Sequence, residues 1–141
     1  MKRLVLLAVA LTSLTAAAPG GTGDGFEVIV NKQNPVASLS KDFVSRAFLK
    51  KVQKWDNGWG IVPVDQDQAS PARSAFSKVV HGKPAAAVVA YWQRQIFAGN
   101  DVPPAEKPDD AAVVAFVKST PGAVGYVSGS APADVKVVSV E

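Results

Sequence analysis

The sequence contains no cysteine, and it has only one histidine and one methionine. The missing cysteine excludes structural disulfides, thiolate metal sites, a cysteine nucleophile and a lipid-modified N-terminal cysteine. A single imidazole is too little for a histidine-based metal site. We therefore expect a domain held together by its apolar core, without a metal or another cofactor.

Long hydrophobic runs are also missing, except at the N-terminus. Lys2 and Arg3 precede an apolar run over residues 4–14, and small residues follow at 15–18. The run is shorter than the roughly 20 residues that a bilayer span needs, so the pattern predicts a secretory signal peptide over residues 1–18. The cleavage site stays open among residues 16–18. We expect a periplasmic or secreted protein that does not insert into the membrane after cleavage.

Excess charge of one sign is the third missing feature. The whole chain carries a net charge of +3, and without Lys2 and Arg3 its 13 basic residues face 12 acids, a net charge of +1. This balance does not support nucleic acid binding. About 120 residues remain after the leader, which is enough for one domain. Residues 19–25 are rich in glycine and predict a flexible lead-in, so the domain is expected to span residues 26–141.

Strand and helix patterns alternate along the rest of the chain. β-branched and aromatic runs predict four strands, at residues 26–30, 61–64, 123–127 and 135–140. Apolar spacing and capping residues predict four helices, at residues 41–49, 71–81 and 84–98, and from a cap at Asp109 or Asp110 to residue 120. Pro63 lacks a backbone donor, which predicts that the second strand is short or at an edge. The order predicts an α/β fold: a single three-layer-like domain with a mixed β-sheet flanked by helices.

The strongest candidate for a binding site is the start of the second helix, DQDQASPAR in the sequence. The Ser70 hydroxyl, the free N–H groups of Ala72 and Arg73, and the charge of Arg73 together suit an oxyanion. Ser38 and Ser40 are further hydroxyl candidates at the start of the first helix. The alternative is a plain N-cap at Ser70 with a solvent-facing Arg73.

Other side chains allow a functional and a structural interpretation. Asp65 and Asp67 suit a hard cation or acid–base chemistry, or they are solvated loop acids beside the positive end of a helix. Trp55 and Trp59 could stack on a sugar or base, or pack a long connection onto the core. His81 ends a helix, where a histidine cation complements the helix dipole, and it has no evident catalytic partner.

Three segments carry a resemblance to a known family. They are LSKDFVSRAFLKKVQKWDNG, IVPVDQDQASPARSAFSKVV and STPGAVGYV, within residues 28–127. In order and spacing they resemble the periplasmic phosphate-binding proteins of ABC transporters, which have the type II periplasmic binding protein fold. STPGAVGYV is similar to the family's Thr-Pro-Gly-Ser-Ile-Gly-Tyr-Val. Family members have two lobes, and this chain has the length of one, so we expect a short, single-lobe version.

The resemblance implies a function and a set of residues. Phosphate in the family is held by hydroxyls, helix N-termini, an arginine and an acid. Ser70 matches the motif's serine, Pro71 and Ala72 stand where the family has glycine and threonine, and Gln66 stands at the arginine position. The implied role is an exported phosphate or oxyanion substrate-binding domain, not an enzyme. Implied partners are an ABC transporter permease or another envelope protein, and a homodimer stays open.

The departures at Gln66, Pro71 and Ala72 favour an alternative role. In that role the chain is a single-lobe relative that has lost its ligand and acts as a periplasmic protein-interaction module.

Overall fold

The computed structural model describes residues 24–141. The predicted signal peptide and most of the predicted lead-in lie outside the described residues. Within them the chain forms six strands that share one sheet. The strands are β1 (Glu27–Val30), β2 (Ser38–Leu39), β3 (Val62–Gln66), β4 (Ala105–Lys107), β5 (Ala123–Val127) and β6 (Lys136–Val140).

The helices start and stop where the side chains satisfy their free backbone groups. Ser40, Ser70 and Asp109 are the N-caps of the first, second and last α-helices, and each side chain accepts a bond from a backbone N–H of the first turn. The α-helices are α1 (Lys41–Phe48), α2 (Pro71–Phe76), α3 (Ala85–Phe97) and α4 (Asp110–Ser119). A π-helical segment, Ser77–His81, continues α2 and ends at Gly82, whose φ of 65° is left-handed.

The sheet has the order β2-β6-β1-β5-β3-β4. β1 is antiparallel to β5 and β6, whereas β3 is parallel to β4 and β5, and β2 is parallel to β6. The prediction of an α/β domain with a mixed sheet is therefore confirmed. Because β3 and β5 run in the same direction, their carboxyl ends meet at one edge of the sheet.

Alternation along the strands gives the sheet two apolar faces. Val28, Val30, Val124 and Tyr126 face a cluster that includes residues of α1, α2 and the π-helical segment. Ile29, Val64, Ala123 and Val127 face the opposite cluster, which contains Val113 and Val117 of α4. Helices therefore cover both faces, which is the layered arrangement that the sequence predicts.

Two strands are not apparent from the sequence. β2 has two residues and β4 has three, Ala105–Lys107, so neither is long enough to show an alternating pattern. Both lie at the ends of the strand order and are defined by pairing with a neighbour. Short or polar strands are common at sheet edges, where they limit pairing with other chains.

The placement of Pro63 corrects the sequence prediction. β3 has five residues and lies between β5 and β4, so it is not an edge strand. Val62 N–H donates to Gly122 O on the β5 side. The nitrogen of Pro63 then faces the β4 side, because successive N–H groups alternate, and pairing with β4 begins only at Val64. The missing donor of proline thus falls where no partner strand needs it.

Candidate functional site

The loop between β3 and α2 brings the predicted anion-binding residues to the carboxyl edge of the sheet. Asp67 shapes this loop: its Oδ1 accepts from Ala69 N–H at 2.9 Å and its carbonyl oxygen accepts from Ser70 N–H at 2.9 Å. This turn delivers Ser70 as the N-cap of α2, with Pro71 at the first helical position. The sequence prediction of a Ser-Pro helix start is confirmed.

The Ser70 hydroxyl already has two partners within the domain. It donates to Gln66 Oε1 at 2.6 Å and accepts from Arg73 N–H at 3.4 Å. Ser70 is partly exposed, so its oxygen lies near the surface of the loop. An incoming anion would have to replace the bond to Gln66.

Gln66 connects this loop to the neighbouring strand and to α4. Its side chain is buried, and Nε2 donates to Asp110 Oδ1 at 2.7 Å and to Tyr126 O at 2.9 Å. Its backbone N–H donates to the Tyr126 hydroxyl at 3.1 Å. Gln66, which stands at the family's arginine position, therefore links the loop to β5 and α4 through its side-chain amide.

Asp110 supplies a carboxylate at the same edge. Its Oδ2 accepts from the Ser128 hydroxyl at 2.6 Å, and both carboxylate oxygens accept from Ser128 N–H at 3.1 Å. Partial burial opposes ionisation, but the bonds from Ser128 and Gln66 outweigh it and lower the pKa of Asp110. Asp110 is thus an ionised acceptor that shares the Gln66 amide with Ser70.

Arg73 points into the protein beneath the loop. Its side chain is 3% exposed, and Nη1 donates to Gln66 O at 2.8 Å. The guanidinium forms ion pairs with Asp65, at 3.5 Å from Nε, and with Glu106, at 3.2 Å from Nη1. The alternative of a solvent-facing Arg73 is wrong, because two carboxylates and a carbonyl hold the side chain inside.

Asp65 is buried in β3, so the interpretation of this residue as a solvated loop acid is wrong. The Tyr126 hydroxyl donates to Asp65 Oδ1 at 2.5 Å. Burial raises the pKa of Asp65, and the charge of Arg73 and the bond from Tyr126 offset only part of that effect. Burial also raises the pKa of Tyr126, and the nearby Asp65 carboxylate adds to the shift. Asp67, in contrast, is exposed as expected.

The remaining predicted site residues lie in two places. Ala72 is buried at the second position of α2, close to Ser70, where no residue one turn back accepts its N–H. Ser38 and Ser40 lie at β2, and three strands separate β2 from β3. Four strand spacings correspond to about 19 Å. The structure therefore brings together Ser70, Ala72 and Arg73, but not Ser38 and Ser40.

Ser38 and Ser40 line a separate cavity of about 440 Å³. Phe43 and Trp55 form part of its wall, with ring centroids 5.8 Å apart. Ser40 Oγ accepts from Phe43 N–H at 3.1 Å and so serves as the cap of α1. The two exposed serines therefore lie at a second concave surface.

The structural interpretation of the tryptophans is confirmed. Trp55 is buried and its Nε1 donates to Gly122 O at 2.9 Å, while Trp59 packs against the core cluster that contains Trp55. Both rings therefore fasten the long connection between α1 and β3 to the sheet.

His81 ends the π-helical segment, as the sequence predicts. However, burial, together with the positive charges of Arg73 and Lys83, lowers the pKa of His81 to about 4. The interpretation of His81 as a cation is therefore wrong, and its neutral ring bonds to Ser45 Oγ at 2.7 Å.

Sequence reasoning missed several members of the network. Glu106, Asp110 and Ser128 come from separate elements, and no local spacing connects them to Ser70. Tyr126 was visible as part of STPGAVGYV, but its hydroxyl contacts with Asp65 and Gln66 depend on the pairing of β5 with β3. Within residues 24–141 no cluster of three or more histidine or acidic side chains could hold a metal ion. None of the helices in that range combines the length and the apolar character that a bilayer span requires.

Comparisons with known proteins show which folds this domain resembles. No protein-family model matches the chain, and no curated protein matches it. Solved structures do match. A protein from Clostridium perfringens, assigned as a phosphate ABC transporter substrate-binding protein with bound phosphate, aligns with a TM-score of 0.65 and 25% identity, over 83% of this chain and 45% of its own.

Two further structures agree with this match. An ABC-type phosphate transport receptor from Vibrio cholerae aligns with a TM-score of 0.65 and 20% identity, over 83% of this chain and 46% of its own. PstS from Borrelia burgdorferi aligns with a TM-score of 0.55 and 12% identity, over 84% of this chain and 47% of its own. The chain thus spans less than half the length of the proteins that it matches.

The fold defines the class first: an α/β domain with the architecture of one lobe of a type II periplasmic binding protein. Within that class, the described chain resembles the phosphate substrate-binding proteins of ABC transporters. The resemblance predicted from the sequence is confirmed.

Proposed function

We propose that this protein is an exported oxyanion-binding domain of an ABC transport system, with phosphate as its ligand, and that it is not an enzyme. One observation carries the proposal: Ser70 caps a helix at the carboxyl edge of β3 and β5, in a fold shared with a phosphate-bound protein. Ligands of open α/β sheets bind at this edge. The likeness to transport proteins also supports a periplasmic location and a permease or another envelope protein as partner.

The chemistry of anion capture follows from the contacts of Ser70. The hydroxyl exchanges Gln66 for an anion oxygen, and the N–H of Ala72 donates beside it. Arg73 lies one turn further along α2. Of the groups that contact its guanidinium, Glu106 is the most accessible to solvent, because its side chain is 45% exposed. An anion that displaces Glu106 gains a charge-assisted contact with the guanidinium.

The Asp110 carboxylate gives the site a preference for a protonated anion. Asp110 and Ser70 bind the same Gln66 amide, at 2.7 and 2.6 Å. An ionised carboxylate repels a fully deprotonated anion, whereas it can accept a hydrogen bond from the O–H of hydrogen phosphate. Phosphate is therefore favoured over sulfate.

Isothermal titration of the purified protein tests the proposal. We expect heat on addition of phosphate, and none on addition of sulfate. Ser70→Ala should remove the heat, while Ser74→Ala, an exposed serine on the same helix, should leave it unchanged. The absence of heat at about millimolar phosphate, a free energy of about 4 kcal/mol, would refute phosphate binding.

A second candidate function has its own supporting observation. Ser70, Gln66, Asp110 and Arg73 all find partners within the domain, and two carboxylates meet the charge of Arg73. A network satisfied in this way also suits a single-lobe relative that has lost its ligand and acts as a periplasmic interaction module. The binding of such a module to another envelope protein would be unaffected by Ser70→Ala. Light scattering shows separately whether the protein forms a homodimer.

A further inference from the structure

Helix α3 buries little of its apolar surface. Its sequence is AAAVVAYWQRQIF, yet of its 13 residues only Val88 and Trp92 are buried. Near its C-terminal end, Ile96 is 52% exposed and the adjacent Phe97 is 97% exposed. An apolar surface of this kind in a soluble domain is typical of an interaction site.

A groove of about 670 Å³ lies between α1 and α3. Its apolar lining includes Leu49, after α1, and Val88 and Tyr91 of α3. Ala90 and Arg94 line both this groove and the shallow surface beside Phe97. The groove and the exposed end of α3 therefore form one continuous surface, which we call the α3 groove.

The α3 groove is positively charged. Arg46, Lys51, Lys83 and Arg94 line it, whereas Asp42 is its single lining acid and is paired with Arg46 at 2.8 Å. Within residues 24–141, no carboxylate lies in ion-pair distance of Lys51, Lys83 or Arg94. Three lysine or arginine charges beside an apolar floor thus have no carboxylate partner among the described residues.

We propose that the α3 groove binds an acidic amphipathic segment of a partner protein. Apolar side chains of such a segment would pack on Tyr91 and Phe97, and its carboxylates would pair with Lys83 and Arg94. A second copy of this chain fits poorly, because a two-fold contact through this surface would bring the same positive charges together. Ser70 does not line the groove, so the inference is independent of anion binding.

Peptide selection tests this inference. The purified protein is used to select from a displayed library of random 16-residue peptides, and the recovered peptides are synthesised for fluorescence anisotropy. We expect enriched sequences with glutamate or aspartate and with apolar residues at spacings of three and four. Phe97→Ala and the double variant Lys83→Glu with Arg94→Glu should each weaken binding about tenfold or more, equivalent to about 1.4 kcal/mol.

A matched double variant provides the control. Lys32→Glu with Lys54→Glu makes the same change in net charge at two exposed lysines outside the groove, and it should change the affinity less than about twofold. All positions changed are exposed, so thermal melting should show folded proteins.

Three outcomes would overturn the proposal. The first is that no peptides are enriched, or that enriched peptides lack acidic residues. The second is equal loss of binding in the groove and control variants, which would indicate an effect of net charge alone. The third is binding to vesicles of phosphatidylcholine with phosphatidylglycerol, without selection of acidic peptides, which would assign the groove to a membrane surface.

Discussion

The Tyr126 hydroxyl donates a hydrogen bond of 2.5 Å to Asp65 Oδ1, across 61 positions of the sequence. The same hydroxyl accepts from Gln66 N–H at 3.1 Å, and the Tyr126 ring stacks on Phe76 at 4.0 Å. One side chain of β5 therefore fixes the end of β3 and the helix that follows the loop between β3 and α2.

We expect Tyr126→Phe to lower the free energy of unfolding by about 1–3 kcal/mol, because it removes two buried hydrogen bonds, leaving the Gln66 N–H without a partner and Asp65 with Arg73 alone. Urea denaturation measures the change. Tyr91→Phe is the control, since within residues 24–141 the Tyr91 hydroxyl has no hydrogen-bond partner, and it should have little effect. Equal effects of the two substitutions would contradict a specific role of the Tyr126 hydroxyl.

Glu106→Gln should tighten phosphate binding. The substitution removes the charge at 3.2 Å from Arg73 Nη1 and leaves Asp65 as the remaining carboxylate in the pair. We expect an affinity gain of about threefold to tenfold by titration calorimetry. Asp134→Asn, which breaks the exposed pair with Lys118, is the matched control. Unchanged affinity in Glu106→Gln would show that Arg73 does not take part in anion binding.

Gly122→Ala should destabilise the domain strongly. A Cβ atom at this position would lie 2.0 Å from the carbonyl oxygen of Gly60, so the backbone that precedes β3 would have to move. We expect a loss of about 2–4 kcal/mol in the free energy of unfolding. Gly129→Ala meets no atom within 4 Å and should be near neutral. Thermal melting of both variants tests this prediction, and similar melting temperatures would contradict the close approach of Gly122 to Gly60.

The neutral state of His81 makes stability depend on pH. Its pKa is about 4 in the folded protein, and the ordinary value is 6.5. Between these values the unfolded chain binds the proton and the folded chain does not, so stability falls as the pH is lowered from about 6.5 toward 4. In His81→Gln, the midpoint of urea denaturation should depend less on pH over that range. If the urea midpoint of the variant depended on pH in the same way as that of the original protein, His81 would not be the neutral group that causes the pH dependence.

The motif STPGAVGYV shows how local sequence and tertiary contacts combine. The sequence suffices to predict a helix end followed by a strand. The reasons for the two glycines are not local: Gly122 lies against Gly60, and a Cβ at Gly125 would approach Val113 and Val64 at 2.7 and 2.8 Å. These contacts depend on how α4 and β3 pack around β5.

The candidate site divides in the same way. Ser70 is predictable as a cap because Ser-Pro satisfies a helix start within four residues. The contacts around Ser70 are not predictable from the local sequence. Gln66 contacts Asp110, and Arg73 contacts Glu106, only after β3, β4, β5 and α4 have assembled. Neither the burial of Asp65 nor the exposure of α3 follows from the spacing of apolar residues alone.

The sequence by itself determined the α/β class, the four long strands, the helix starts at Ser40 and Ser70, and the likeness to phosphate-binding proteins. These features depend on side-chain periodicity and on capping within one turn, which are local. Tertiary structure alone decided that Arg73 points inward to two carboxylates and that Ser38 and Ser40 lie away from Ser70. It also left the end of α3 uncovered. Strand order and side-chain direction set these distances, and both arise from contacts between residues far apart in the chain.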